Sequence, residues 1–224
     1  MKSRYRLRRS VTLLIITVAI VLPIFASRLA ASKPVTDNAK EREIATKAME
    51  KLSLLEVKGR APKTGYARTQ FGDGWANYFG CNMRDVILGR DMKHIKLSAN
   101  CNVMSGELDD PYTATVIAFQ RGATTSDAVQ IDHVVALSNA WQTGAQLLPF
   151  SRRIAFANDP LNLLAVQGKA NQDKLDADAA TWLPPNEAFR CQYVARQVEV
   201  KAKYDLWLTP SEKAAIGKIL RNCV

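Results

Sequence analysis

Histidine is nearly absent from this 224-residue chain, which has only His94 and His133. Chemistry that needs a side chain to exchange a proton near neutral pH therefore has two positions to use. Cysteine is scarce as well. The four residues Cys81, Cys101, Cys191 and Cys223 include no Cys-x-x-Cys pair, which argues against a thiolate zinc site. No glycine-rich phosphate loop, internal repeat or low-complexity tract is present, which sets aside P-loop chemistry and repeat architectures. Ser138 lies near His133, but no third partner completes a serine-hydrolase set. The one long apolar run, Val11 to Ala26, is broken by Pro23 and is shorter than the ~20 residues a spanning helix prefers.

That run is informative in its setting. Five basic residues precede it, and Ala30, Ala31 and Ser32 follow. The order of basic, apolar and small residues is that of an export signal, so residues 1–31 are expected to be a signal peptide or an uncleaved N-terminal membrane anchor. Either reading places the rest of the chain outside the cytosol, secreted or membrane-anchored. An even cysteine count then favours two disulfides over four buried thiols. Of the three pairings, Cys81–Cys101 with Cys191–Cys223 is expected, because each closes a local loop.

The formal charge of +10 overstates the basicity of the folded part. Residues 1–31 hold six basic side chains and no acid, leaving 25 basic against 21 acidic side chains elsewhere. An excess of that size permits contact with a polyanion without demonstrating it.

Residues 32–65 read as a polar linker and an N-terminal helix over 38–57, with the main domain, 66–224, starting near Tyr66. The glycine- and aromatic-rich stretch 66–80 reads as a packed irregular loop. A short helix is expected over Met83–Met92. Strands are expected over Asn102–Gly106 and Tyr112–Phe119, with a turn at Asp109–Tyr112, and a further strand over Ala128–Ile131. A helix over Val134–Ala145 should turn Trp141 inward, and a short strand should run from Leu161 to Val166. A helix starting at Lys169 is bounded by Pro184 and Pro185. An amphipathic helix over Glu187–Lys203 precedes a last helix, which opens on the capping box Thr209-Pro210-Ser211-Glu212.

The chemistry concentrates in three blocks: Asp132-His133-Val134-Val135, Asn158-Asp159-Pro160-Leu161-Asn162, and Asn171-Gln172-Asp173-Lys174. Phosphodiester hydrolysis needs a base for water, a cation for the developing charge, and contacts that hold the strand. Asp132 and Asn171 offer hard oxygen ligands, and His133 can take a proton. Neighbours in a strand point to opposite sides, so Asp132 and His133 can serve one site only at a strand end. Asn162 can bond the loop that carries His133. Lys174, three residues after Asn171 on a helix, shares its face and would meet phosphate. Arg84, Arg90 and Arg152 are further candidate phosphate contacts. His94 has no such company and reads as structural.

These blocks resemble the HNH endonucleases of the ββα-metal type, and among them the GmrSD-type C-terminal domain found in secreted bacterial proteins. Flanking residues are also similar, including Gly80-Cys81, Arg90-Asp91, Asp110-Pro111-Tyr112-Thr113 and Arg190-Cys191, and the likeness covers roughly 66–223. The resemblance implies an α+β fold in which a ββα-metal core is embedded in a mostly helical, disulfide-stapled domain with a small antiparallel sheet. It implies His133 as general base, Asn162 as a brace, and one Mg2+ or Mn2+ ion on Asp132 and Asn171. The expected partner is nucleic acid, DNA before RNA. The spread from Asp132 to Asn171 implies a helical insertion between the two strands. The rival is a non-catalytic secreted or envelope-associated binding protein that retains the fold.

Overall fold

A computed structural model describes residues 35–223, with side chains from residue 39. The expected signal segment, 1–31, lies outside the described residues. The chain divides into two units, Met1–Lys40 and Glu41–Val224, and the second carries the sheets and the buried core.

The fold is α+β. Its helices are α1 (Val35–Leu54), α2 (Met83–Asp91), α3 (Leu137–Gln142), α4 (Phe150–Ala157), α5 (Gly168–Lys174), α6 (Arg190–Lys203) and α7 (Pro210–Arg221). Among the described residues, seven strands form three separate antiparallel sheets: β1 (Asn77–Tyr78) with β2 (Cys81–Asn82); β3 (Lys93–Leu97), β4 (Val103–Asp109) and β5 (Val116–Gln120) in that order; and β6 (Val129–His133) with β7 (Leu163–Gln167).

Most expected elements are present with moved ends. Tyr112 is not a strand residue, because Asp110 accepts from the Thr113 amide and hydroxyl and holds 110–115 as a turn. The sequence gives no sign of β3, since its exposed lysines and histidine lack apolar alternation. The helix expected from Lys169 lasts only to Lys174, where Leu175 takes a left-handed conformation (φ 53°). The last helix begins as its capping box dictates, with both reciprocal bonds between Thr209 and Glu212 formed.

Among the described residues, three apolar clusters make the core. One joins Ala45, Ala48 and Leu52 of α1 to Tyr193, Val194, Val198, Ile216 and Leu220 of α6 and α7. The helix expected to precede the domain is thus built into it, so the compact unit reaches back well before Tyr66. A second cluster gathers Phe71, Trp141, Phe156 and Tyr204. A third packs α2 and β4 against Val129, Ile131, Leu163 and Ala165 of the β6–β7 hairpin. The stretch 66–80 is packed at Tyr66, Phe71 and Trp75 but not at Phe79, which is 91% exposed.

A lone two-stranded hairpin is marginal in water. Here side chains from other elements satisfy its outer edge. Asp91 and Asp110 accept from the Ala165 and Gln167 amides at 2.9 Å each, and Arg90 and Arg196 donate to the Leu163 carbonyl. Arg84 donates to the carbonyl of Val129. Charged groups from outside the hairpin thus pin both of its strands.

Both expected disulfides form, Cys81–Cys101 and Cys191–Cys223, spanning 20 and 32 residues. Loop-closure entropy gives each about 3–4 kcal/mol through the unfolded chain. Replacing Cys191 and Cys223 by serine unties α6 from the end of α7 and is expected to lower stability by about that amount in urea denaturation. A variant as stable as the parent would show that helix packing alone holds the C-terminus.

Candidate active site

The three blocks of chemistry converge. β6 carries Asp132 and His133 as its last two residues, antiparallel to β7, and α5 follows β7 directly. The connection between the strands, 134–162, holds α3 and α4, so the expected helical insertion is present. The turn from β7 into α5 needs Gly168, because a Cβ there would meet the Asp127 carbonyl at 1.9 Å.

Alternation along β6 divides the side chains. Gln130 and Asp132 face α5, while Val129 and Ile131 enter the third cluster. Asn171 and Lys174, one helical step apart, meet Gln130 and Asp132: Asn171 Nδ2 donates to Gln130 Oε1 at 2.9 Å, and Lys174 Nζ to Asp132 Oδ1 at 2.9 Å. Strand-end geometry still lets His133 line the same cavity as Asp132 and Asn171, of about 590 Å³.

Two contacts hold the His133 ring, and a third residue holds the chain after it. Its Nε2 is 2.9 Å from the Ala157 carbonyl, which can only accept, so Nε2 carries the proton and Nδ1 is the basic nitrogen. Nδ1 meets no partner among the described residues and is not a sealed atom. The Trp75 ring stacks on the imidazole, centroids 5.6 Å apart and planes 7° from parallel. Asn162, fully buried, bonds both backbone groups of Val135, its Oδ1 accepting from the amide at 2.8 Å and its Nδ2 donating to the carbonyl at 3.2 Å. Its own carbonyl accepts from the Val134 amide. Asn162 thus braces the chain immediately after His133. Burial pushes the imidazole down to about 3; the Ala157 bond opposes this, and the charges of Arg68 and Lys174 add to it.

The expected phosphate contacts are elsewhere. Lys174 is 1% exposed, clamped between the Asp132 carboxylate and the His133 carbonyl, and cannot reach a ligand in the cavity. Arg84 and Arg90 are spent on the hairpin, Arg90 also pairing with Asp91. Arg152 donates to the Lys203 carbonyl and lies over Tyr204. The cations that do line the cavity are Lys63 and Arg68, from the segment before β1. Sequence reasoning missed Trp75 and Arg68; their only signal was a cation and an aromatic ring within the glycine-rich stretch.

Asp132 also accepts from the Tyr112 hydroxyl, whose burial beside that carboxylate holds the phenol well above its usual range and keeps it a donor. No three His, Cys, Asp or Glu side chains cluster as a metal cage among the described residues. Of the two expected ligands, Asp132 offers a carboxylate and Asn171 a side-chain amide oxygen that has no donor among the described residues. That donor type fits a hard cation that keeps most of its waters.

The profile of the C-terminal domain of the GmrSD restriction endonucleases matches residues 83–219, more than half the chain. The chain belongs to this family. All three blocks fall inside the matched segment, whereas Lys63, Arg68 and Trp75 precede it. Membership in the GmrSD C-terminal domain family points to a nuclease role and a nucleic-acid substrate. The chain is also 39% identical over 184 residues to a protein of Arthroderma benhamiae described as an uncharacterized secreted protein, covering 80% of this chain and 86% of that one. No solved structure matches. No described helix is long and apolar enough to cross a membrane.

Proposed function

We propose that this GmrSD-family chain is a metal-dependent endonuclease of the HNH type, acting outside the cytosol on DNA. The observation that carries the reading is the His133 imidazole, fixed by Ala157 and Trp75 with Nδ1 unpartnered, lining one cavity with Asp132 and Asn171. The β6–β7–α5 order is the strand, strand and helix arrangement that an HNH core uses. Export is supported by the apolar N-terminal run, the two disulfides and the secreted description of the fungal relative.

In this reading Nδ1 of His133 takes a proton from the attacking water, while the Ala157 carbonyl holds the opposite nitrogen's proton in place. Trp75 keeps the ring from turning, and Asn162 fixes the backbone that follows it. A divalent Mg2+ or Mn2+ ion bound by Asp132 and Asn171 would neutralise charge on the phosphate and the leaving oxygen. Plasmid DNA should be nicked in magnesium buffer and left intact in EDTA; purified protein that cuts neither DNA nor RNA under several metals would end the proposal.

One observation favours the non-catalytic rival. Asp132 is already neutralised by a buried ammonium, so a dication must share its carboxylate with Lys174. A domain that only kept the fold would show this pairing and no turnover in the plasmid assay.

Burial of His133 also sets a pH signature. Its imidazole is neutral in the fold down to about 3 but protonated in the unfolded chain below about 6.5. Unfolding therefore takes up a proton in that window, and stability falls as pH drops through it by roughly 1.4 kcal/mol per unit. Urea denaturation in EDTA at pH 6 and pH 4.5 should show the parent losing about 2 kcal/mol more than His133→Gln. Parallel profiles would mean that the ring is solvated. For the same reason the acid limb of kcat/KM is expected well below the ~6.5 of an ordinary histidine.

A further inference from the structure

We infer that Arg68, upstream of the family-matched segment, is the side chain that grips the substrate phosphate beside His133. This deepens the endonuclease reading and rests on it for the identity of the ligand.

Charge singles out Arg68. Of the other ionised groups on the main cavity wall, Asp176 is paired with Lys63 at 3.1 Å, and Asp132 is paired from behind with Lys174 at 2.9 Å. Lys63 is held further by the Tyr66 ring. Those pairs cancel, and Arg68 remains, exposed and without an acidic partner among the described residues. A cavity otherwise neutral therefore presents one uncommitted guanidinium, the fork that matches phosphate oxygens two at a time.

Position agrees with charge. A smaller cavity of about 140 Å³, lined by Gly72, Gly74, Trp75 and Ala157, adjoins the main one. Arg68 and His133 line both. An anion bound by Arg68 at that junction sits against the imidazole, where a scissile phosphate must be for His133 to direct water at it.

The backbone beneath Arg68 is also tied to its neighbours. Arg68 opens a single 3-10 turn, Arg68–Phe71. Phe71 is 2% exposed among Trp141 and Phe156, and Arg153 bonds both the carbonyl and the side chain of Gln70. The turn is thereby fixed to the α3–α4 insertion, so only the Arg68 side chain needs ordering on binding.

The test is binding of a duplex DNA oligonucleotide by the full chain carrying His133→Ala, in magnesium and in EDTA, followed by anisotropy across a salt series. Adding Arg68→Ala is expected to weaken binding roughly 10–100-fold, the loss of a charge-assisted phosphate contact, and to flatten the salt slope by about one ion. Arg68→Lys should restore part of the affinity and all of the slope. Lys218→Ala, an exposed charge on α7 that lines neither cavity, should leave both unchanged. Unchanged affinity and slope in Arg68→Ala would overturn the inference. If the parent cuts plasmid and Arg68→Ala binds and cuts equally well, the phosphate site fails while the endonuclease reading stands. If the protein binds DNA through Arg68 yet the parent never cuts, the endonuclease reading fails and the phosphate site stands. A protein that binds no DNA overturns the phosphate site, and if it also cuts neither DNA nor RNA the endonuclease reading falls with it.

Discussion

Replacing His133 with alanine is expected to lower plasmid cleavage by roughly 10²–10⁴-fold, the span that removal of a general base produces. No other imidazole can substitute, because His94 lies on the exposed strand β3 and lines neither cavity. The variant loses the Trp75 stack and the bond to Ala157, so it should also be less stable by about 1–3 kcal/mol and remain folded. His133→Gln, which can keep a donor toward Ala157, separates the two effects: it should recover part of the stability and none of the activity. Circular dichroism and melting confirm the fold, and nicking kinetics read the chemistry. An alanine variant that cuts at the parental rate would remove His133 from the mechanism.

Replacing Lys174 with methionine should cost about 3–5 kcal/mol of stability, the typical loss when one partner leaves a buried ion pair. The lysine is fully enclosed, and its removal strands the Asp132 carboxylate at 4% exposure with only the Tyr112 hydroxyl as donor. The His133 carbonyl loses its partner as well. Asp132→Asn added to Lys174→Met removes the stranded charge and should return much of the loss. Urea denaturation in EDTA measures all three proteins. If Lys174 were instead a phosphate contact, the same change would weaken DNA binding at unchanged stability, and that result would show that the lysine leaves its buried pair when substrate arrives.

The same contrast runs through the basic residues. Arg84 and Arg90 carry the guanidinium that phosphate contacts use, and their chemistry is identical whichever task they perform. What assigns them to the hairpin is a set of carbonyls on β6 and β7 that need donors, since a two-stranded sheet has two open edges. The Val129 and Leu163 carbonyls lie 45 and 73 positions from Arg84 and Arg90, and nothing in the local pattern around either arginine announces them.

Much was legible without coordinates. The apolar spacing of the terminal helices, the Thr209–Glu212 cap and the short cysteine loops are local signals, decided by residues a few steps apart. So is the ordering of Asp132, His133, Asn162 and Asn171, which already suggested one site on a strand, a loop and a helix. That order also suggested a bond from Asn162 to the loop that carries His133, and its side-chain bonds fall on Val135. Tertiary structure alone decided which charges face the cavity, because burial and pairing depend on elements distant in the chain. It buried Lys174 against Asp132, brought Trp75 onto His133, and left Arg68 uncommitted at the junction of two cavities. The residue types were written in the chain, but the low dielectric of a packed interior determined which of them must be neutralised and which one stays available for a ligand.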